Sequence, residues 1–258
     1  MVSRRMEVRG LWGGIRAEVV VLAGSTAIRM TATVLLFLIM LDFYSSGTSV
    51  GGDASSGFYV NQAFILLGTY GTLFPCIVGA YLGGKEYDWR TRPWRLAMDG
   101  RGALWLARMV ILIALAFTSV ISGGLLGGLL DMLGGFGSQS AGMLVTQIAY
   151  VGAVMVFWGL VGFIISTWLR SFMWGAIIPI VWIVLGHLAD FYLPSQVAAA
   201  LPVWNINIVL KSLFPAQDGA MAVILPTSGS SVSSVTVFMG YLGVALVLSN
   251  LTSRRSGG

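Results

Sequence analysis

Between Asp131 and Arg170 the chain carries no charged residue, and the later part of that interval reads LVTQIAYVGAVMVFWGLVGFIISTWL. A helix rises about 1.5 Å per residue, so a run of this length crosses the hydrocarbon of a bilayer, which takes about 20 apolar residues. Backbone placed in hydrocarbon must satisfy its own peptide groups, and a helix does so within one segment. Comparable runs recur over 26–44, 58–83, 103–130, 143–169, 172–192 and 235–251, which predicts an all-α integral membrane protein of six transmembrane helices. Composition agrees. The chain is 57% hydrophobic and 10% charged, against about 25% charged residues in a soluble domain. All of 1–258 is expected to form one transmembrane domain, without a separate soluble one.

The connections carry the remaining information. Residues 1–25 mix Arg4, Arg5, Glu7, Arg9, Arg16 and Glu18 with Leu11, Ile15, Val19 and Leu22, which recur at helical spacing. This predicts an amphipathic helix lying in the membrane interface. Charges interrupt the run that would be a signal-peptide core, so no cleavage is expected. Arg29, near the inner end of the first span, is expected to reach back to the headgroups. Pro75 and Pro179 fall inside spans, where a bundle tolerates them with a kink. The connection 193–234 contains apolar pieces too short to cross, broken by Pro194, Pro202, Pro215 and Pro226. It reads as a re-entrant region on the outer side, with Trp204 and Phe214 near the interface.

Charge orients the bundle. With the N-terminus inside, every arginine and lysine except Lys211 falls on the cytoplasmic side, and the reverse orientation inverts that ratio. Both termini and the segment 84–102 are then cytoplasmic in a multi-pass protein of the cell membrane, of the bacterial inner or plasma type. The net charge of +5 lies at span ends rather than on one long face, so no nucleic-acid partner is expected.

Catalysis finds little to work with. The single histidine, His187, lies near Asp190, and that pair reads as interfacial rather than catalytic. One histidine and one cysteine, Cys76, cannot provide a usual metal ligand set, and no phosphate-binding loop occurs. Asp99-Gly100-Arg101-Gly102-Ala103 has the first residues of the CDP-alcohol phosphotransferase signature but lacks its arginine and its downstream aspartates. An enzyme is not expected, and neither is a cofactor or a metal.

The informative stretch is GGKEYDWRTRPWRLAMDGRGALWLAR, where charge crowds together with Trp89, Trp94 and Trp105. Such charge density belongs in water or at a protein surface. Pro93 suits the first position of a helix and Gly100 the position past its end, so a short helix is predicted between them. Trp94, Ala97 and Met98 share one face of that helix, and Arg95 and Asp99 another. Glu86, Tyr87, Trp89 and Thr91, followed by Arg101, Leu104, Trp105, Ala107 and Arg108, resemble the loop between the second and third spans of exporter-class ABC permeases, the type-two ABC membrane family. That loop reads E-Y-x-W-G-T-x-R, then R-x-x-L-L-x-A-K; here Arg90 replaces the common glycine, Pro93 an arginine, and Arg108 the usual lysine. The order of an interfacial helix, six spans and embedded segments before the sixth is similar to that family as well.

The resemblance implies a permease subunit that exports a hydrophobic or amphipathic substrate such as a drug, antibiotic, peptide or lipid. It implies a second permease, as homo- or heterodimer, and ATP hydrolysis by a separate subunit. Residues 1–25 become its elbow helix, 193–234 its re-entrant cap, and 84–102 the coupling element that meets the ATPase. By the resemblance, ATPase coupling falls to Glu86, Trp89, Thr91, Arg92, Trp94, Arg95, Met98, Arg101 and Arg108. Glu86 and Arg101 hold the short helix through charge pairing at the span ends. The alternative is a secondary transporter or channel, which needs ionisable groups or broken helices at the membrane midplane.

The topology predicts labelling. Cysteines placed singly at Ser55 and Ser230 in a Cys76→Ala background react with an impermeant thiol reagent in intact cells, whereas one at Ser256 reacts only after permeabilisation. Labelling of Ser256→Cys in sealed cells inverts the orientation.

Overall fold

The structure, a computed structural model, describes residues 2–49, 57–88, 101–214 and 230–255, with some side chains near the segment ends outside the description. The described residues are helical, without a strand. Helix α1 (Val2–Gly24) leads into α2 (Thr26–Ser49). Next come α3 (Phe58–Thr69), a 3₁₀ turn (Tyr70–Thr72) and α4 (Leu73–Asp88). Helices α5 (Arg101–Gly134), α6 (Ala141–Leu169) and α7 (Phe172–Tyr192) follow. The chain closes with the short α8 (Ser195–Ala198), α9 (Pro202–Leu213) and α10 (Ser231–Arg255).

Among the described residues, four stretches are long and apolar enough to cross a membrane: Phe58–Asp88, Gly102–Gly134, Ala141–Leu169 and Ser231–Ser253. Counting the bent pair Trp12–Gly24 and Ile28–Phe37 as one span gives five, and Phe172–Leu188 is a further apolar helix. All six apolar runs of the sequence are therefore helical, and four of them qualify as crossings on their described residues. The architecture is that of an all-helical, multi-pass membrane protein.

The breaks have local causes. At Ser25 the backbone leaves the helix, and the Ser25 Oγ and carbonyl accept from the Ile28 and Arg29 amides, so a new helix starts at a 65° angle. The second apolar run breaks at Tyr70–Thr72 because Pro75 has no amide hydrogen and its ring crowds the carbonyl four residues back. Pro75 then sits in the first turn of α4, where it costs little. Thr69 and Thr72 hydroxyls bond carbonyls of their own turn and line the break. Between α6 and α7 the turn is only Arg170-Ser171, with Arg170 left-handed at φ 54. The apolar runs 143–169 and 172–192 leave only these two residues between them.

Helix α4 is the centre of the bundle. The 58–88 run is 83% buried, whereas the Ser231–Ser253 run is 17% buried and presents Val, Met and Leu outward, as a lipid-facing helix does. Helix α4 packs most extensively on α6, and glycines are the reason. A Cβ on Gly79 would overlap the Gly159 carbonyl, and one on Gly162 would overlap the Cys76 carbonyl. In lipid, where apolar helices gain nothing by leaving their surroundings, such backbone-to-backbone approach is what holds two helices together.

The 193–234 connection is largely helical where it is described. Helix α9 is buried over Pro202–Leu210 between α3, α7 and α10. Trp204 and Phe214, expected near the membrane interface, are covered by protein. Trp204 packs on Ala198 and Ile208, and Phe214 lies 6.4 Å from the Phe64 ring. The apolar residues of α9 recur at helical spacing and find protein partners before they find headgroups. Residues 215–229 of this connection lie outside the described residues.

Gly79→Ala is expected to lower the melting temperature of the detergent-solubilised protein, at a cost of about 1–3 kcal/mol for an overpacked contact. Gly240→Ala, whose Cβ meets nothing within 4 Å, leaves it unchanged or slightly higher. Equal melting of the Gly79 variant and the parent would show that α4 and α6 do not touch through their backbones.

Candidate functional site

The last turn of α4, Lys85-Glu86-Tyr87-Asp88, leads directly into the tryptophan-bearing segment. Each of these four side chains is tied to a different part of the bundle. Lys85 Nζ donates to Glu18 Oε2 of α1. Arg108 of α5 donates from Nε to Glu18 Oε1 at 3.3 Å and from Nη2 to Glu86 Oε1. Lys85 also lies 5.1 Å from the centre of the Tyr81 ring. Tyr87 faces the Arg170 guanidinium at 6.0 Å, and Asp88 Oδ2 accepts from the Phe172 amide at 3.2 Å, capping the first turn of α7. Lys85, Glu86, Arg108 and Glu18 are all buried, with Glu18 at 0% exposure.

Two positive and two negative charges thus alternate along a chain Lys85, Glu18, Arg108, Glu86. A single ion taken from water into protein costs several kcal/mol even after relaxation, and only close opposite charge with good geometry offsets it. The Arg108 fork bonds both glutamates, which a lysine, with its point charge, would do less well. Small residues bring the partners within reach. Gly14 of α1 lies against Ala107 of α5 at 3.6 Å for a Cβ, and a Cβ on Gly84 would crowd Phe172.

Of the residues expected to couple, the structure brings Glu86 and Arg108 into direct contact. Trp89, Thr91, Arg92, Trp94, Arg95 and Met98 lie outside the described residues, as does the Arg101 side chain, whose backbone opens α5. The charge partner described for Glu86 is Arg108, on the second turn of α5. Glu18 was not singled out from the sequence. The expected face of α1 ran through Ile15, Val19 and Leu22. The buried face instead runs through Gly14, Glu18 and Leu22, while Val19 is 48% exposed. An acid in helical register with buried apolar positions was the available signal, since it must find a cation.

The opposite end of the bundle is held by neutral polar groups and one acid. Asp131 accepts from the Tyr59 and Val60 amides at 2.9 and 3.2 Å, capping α3 from α5. Gly57, at φ 72, turns the chain into α3 and donates to the Gly137 carbonyl, a conformation that favours glycine. Gln139 and Gln147 both donate to Asn61 Oδ1, and Gln147 also to the Leu213 carbonyl at 3.4 Å. His187 Nδ1 meets Asn207 Nδ2 of α9 at 3.3 Å and its ring lies 6.1 Å from Tyr70. The Asp190 side chain, its expected neighbour, lies outside the described residues. Among the described residues no three His, Cys, Asp or Glu side chains are grouped to hold a metal ion.

No protein-family model matches the chain, and no curated protein matches it either.

Glu18→Leu should cost about 3–5 kcal/mol, because Lys85 and half of the Arg108 fork are left buried without their acid. The double variant Glu18→Leu, Lys85→Leu removes one charge of each sign and leaves the Arg108–Glu86 pair. It is expected to melt above the single variant in detergent. A double variant less stable than Glu18→Leu would mean that the two side chains contribute separately.

Proposed function

We propose that this chain is the transmembrane permease subunit of an ATP-driven exporter. It spans the membrane six times with both termini in the cytoplasm, pairs with a second permease, and moves a hydrophobic or amphipathic substrate outward while a separate subunit hydrolyses ATP. The resemblance of 86–108 to the exporter-class ABC permease loop supports this reading. The observation that carries it furthest is the contact between Glu86 and Arg108. These residues begin and end the motif, 22 positions apart, and their pairing ties the last turn of α4 to the second turn of α5.

A segment that starts there can act on the bundle. Its base is bonded to α1 through Glu18, to α5 through Arg108 and to the α6–α7 turn through Tyr87 and Asp88. Force applied there by a partner that changes shape reaches α1 and α5 through buried charge, and the α6–α7 turn through the half-buried Tyr87 and the exposed Asp88. The helix predicted between Pro93 and Gly100 supplies Trp94 and Met98 as anchors for a groove on the ATPase.

The secondary-transporter reading draws on the break at Tyr70–Thr72, since broken helices build ion sites. There the Thr69 and Thr72 hydroxyls donate to the Ile65, Leu66 and Thr69 carbonyls, and among the described residues no three His, Cys, Asp or Glu side chains are grouped. The resemblance of 86–108 favours the ATP-driven reading.

Anchoring tryptophans at interfaces cost about 2 kcal/mol or more on truncation, about thirtyfold in affinity. Trp94→Ala is expected to leave membrane insertion and permease pairing intact, to reduce the copurified ATPase and to abolish transport. Arg4→Ala serves as the control. Equal ATPase recovery and transport in the two variants would remove the coupling role from this segment.

A further inference from the structure

Burial of Glu18 has a consequence on the other side of α1. The helix sequence holds four arginines, Arg4, Arg5, Arg9 and Arg16, against two glutamates. Glu18 is turned into the bundle and neutralised there by Lys85 and Arg108, cations brought from α4 and α5. Of the charged residues of α1 whose side chains are described, Glu18 faces inward and Arg16 outward, so the described outward face carries a cation and no acid. The outward residues whose side chains are described are Trp12 at 67% exposure, Arg16, Val19 and Val20. Trp12, Arg16 and Val20 follow one another at intervals of four, so they form one stripe, indole and aliphatic groups with a guanidinium among them. Beyond the 65° bend at Ser25, Arg29, Met30, Val34 and Phe37 of α2 are exposed as well.

We propose that this face of α1 binds the headgroups of anionic phospholipids in preference to zwitterionic ones. Continuity with an apolar exposed helix makes lipid the occupant, because Met30, Val34 and Phe37 form a surface suited to acyl chains. Tryptophan beside them suits the headgroup level. The charge decides which lipid. A membrane-lying helix with arginine among its apolar groups gains affinity from anionic headgroups, about 1 kcal/mol for each basic residue near the surface. Arginine also bonds phosphate oxygens in pairs, which favours an exposed phosphate monoanion over one screened by choline. The quartet and the lipid face are then two results of one event, the withdrawal of the Glu18 charge from the surface. The proposal requires the chain to sit in a bilayer but requires no ATPase, so it stands or falls independently of the exporter reading.

The test uses the full chain, reconstituted into nanodiscs of equimolar phosphatidylglycerol and phosphatidylcholine and then released for native mass spectrometry. The parent is expected to retain phosphatidylglycerol over phosphatidylcholine. Arg16→Gln is expected to lower that ratio about fivefold, and Arg16→Lys to restore most of it. Lys211→Gln, at the other end of the bundle, should leave the ratio unchanged. Arg16 is exposed, so its variants are expected to melt as the parent does. No preference in the parent, an unchanged ratio in Arg16→Gln, or an equal fall in Lys211→Gln would each overturn the proposal. So would a face occupied by a copurified protein that excludes lipid.

Discussion

Glu18 is an acid with no exposure in a chain that is one-tenth charged, and the arrangement of the elements around it follows from what it needs. A lone carboxylate so placed would be driven neutral or out of the protein. It stays because Lys85 and Arg108 come to it from two other helices, and Arg108 in turn brings Glu86. Three helices remote in sequence are thereby fixed at one point. The attraction is strong there because little water screens it, and for the same reason any one missing member leaves the others exposed to the full cost of burial.

The quartet could not form without the packing of α4. Glycines 79 and 162 let α4 and α6 approach until backbone meets backbone, which sets where the last turn of α4 ends. From that turn Lys85, Glu86, Tyr87 and Asp88 leave in different directions, because successive helical positions are about 100° apart. Four neighbouring residues therefore reach α1, α5 and both sides of the α6–α7 turn. Helix packing and ionic contact are sequential here: the first is apolar and positions the second.

At the other end of the bundle the solution is different. Amides and one carboxylate, Asp131, satisfy the helix ends, and α9 folds back between α3, α7 and α10. Neutral hydrogen bonds are individually weaker than ion pairs and exchange partners more cheaply.

Sequence alone determined the class of the protein. Long uncharged runs leave only helices, their ends show where charge stops, and Arg170-Ser171 and Pro75 mark a turn and a break that the structure contains. It also marked Glu86 and Arg108 as members of one motif. Which of them touch was decided by tertiary structure, because a partner 22 or 90 residues away is a matter of helix placement that periodicity does not encode. Glu18 shows the limit most clearly. On α1 taken alone it looks like one more charge on the polar side of an interfacial helix. Only the arrival of Lys85 and Arg108 turns it inward, and that rotates the helix so that Val19 faces out and Gly14 and Leu22 face in. Trp204 and Phe214 make the same point without charge: aromatic character marks a preference for partial burial, but whether lipid headgroups or neighbouring helices supply it depends on what else packs there.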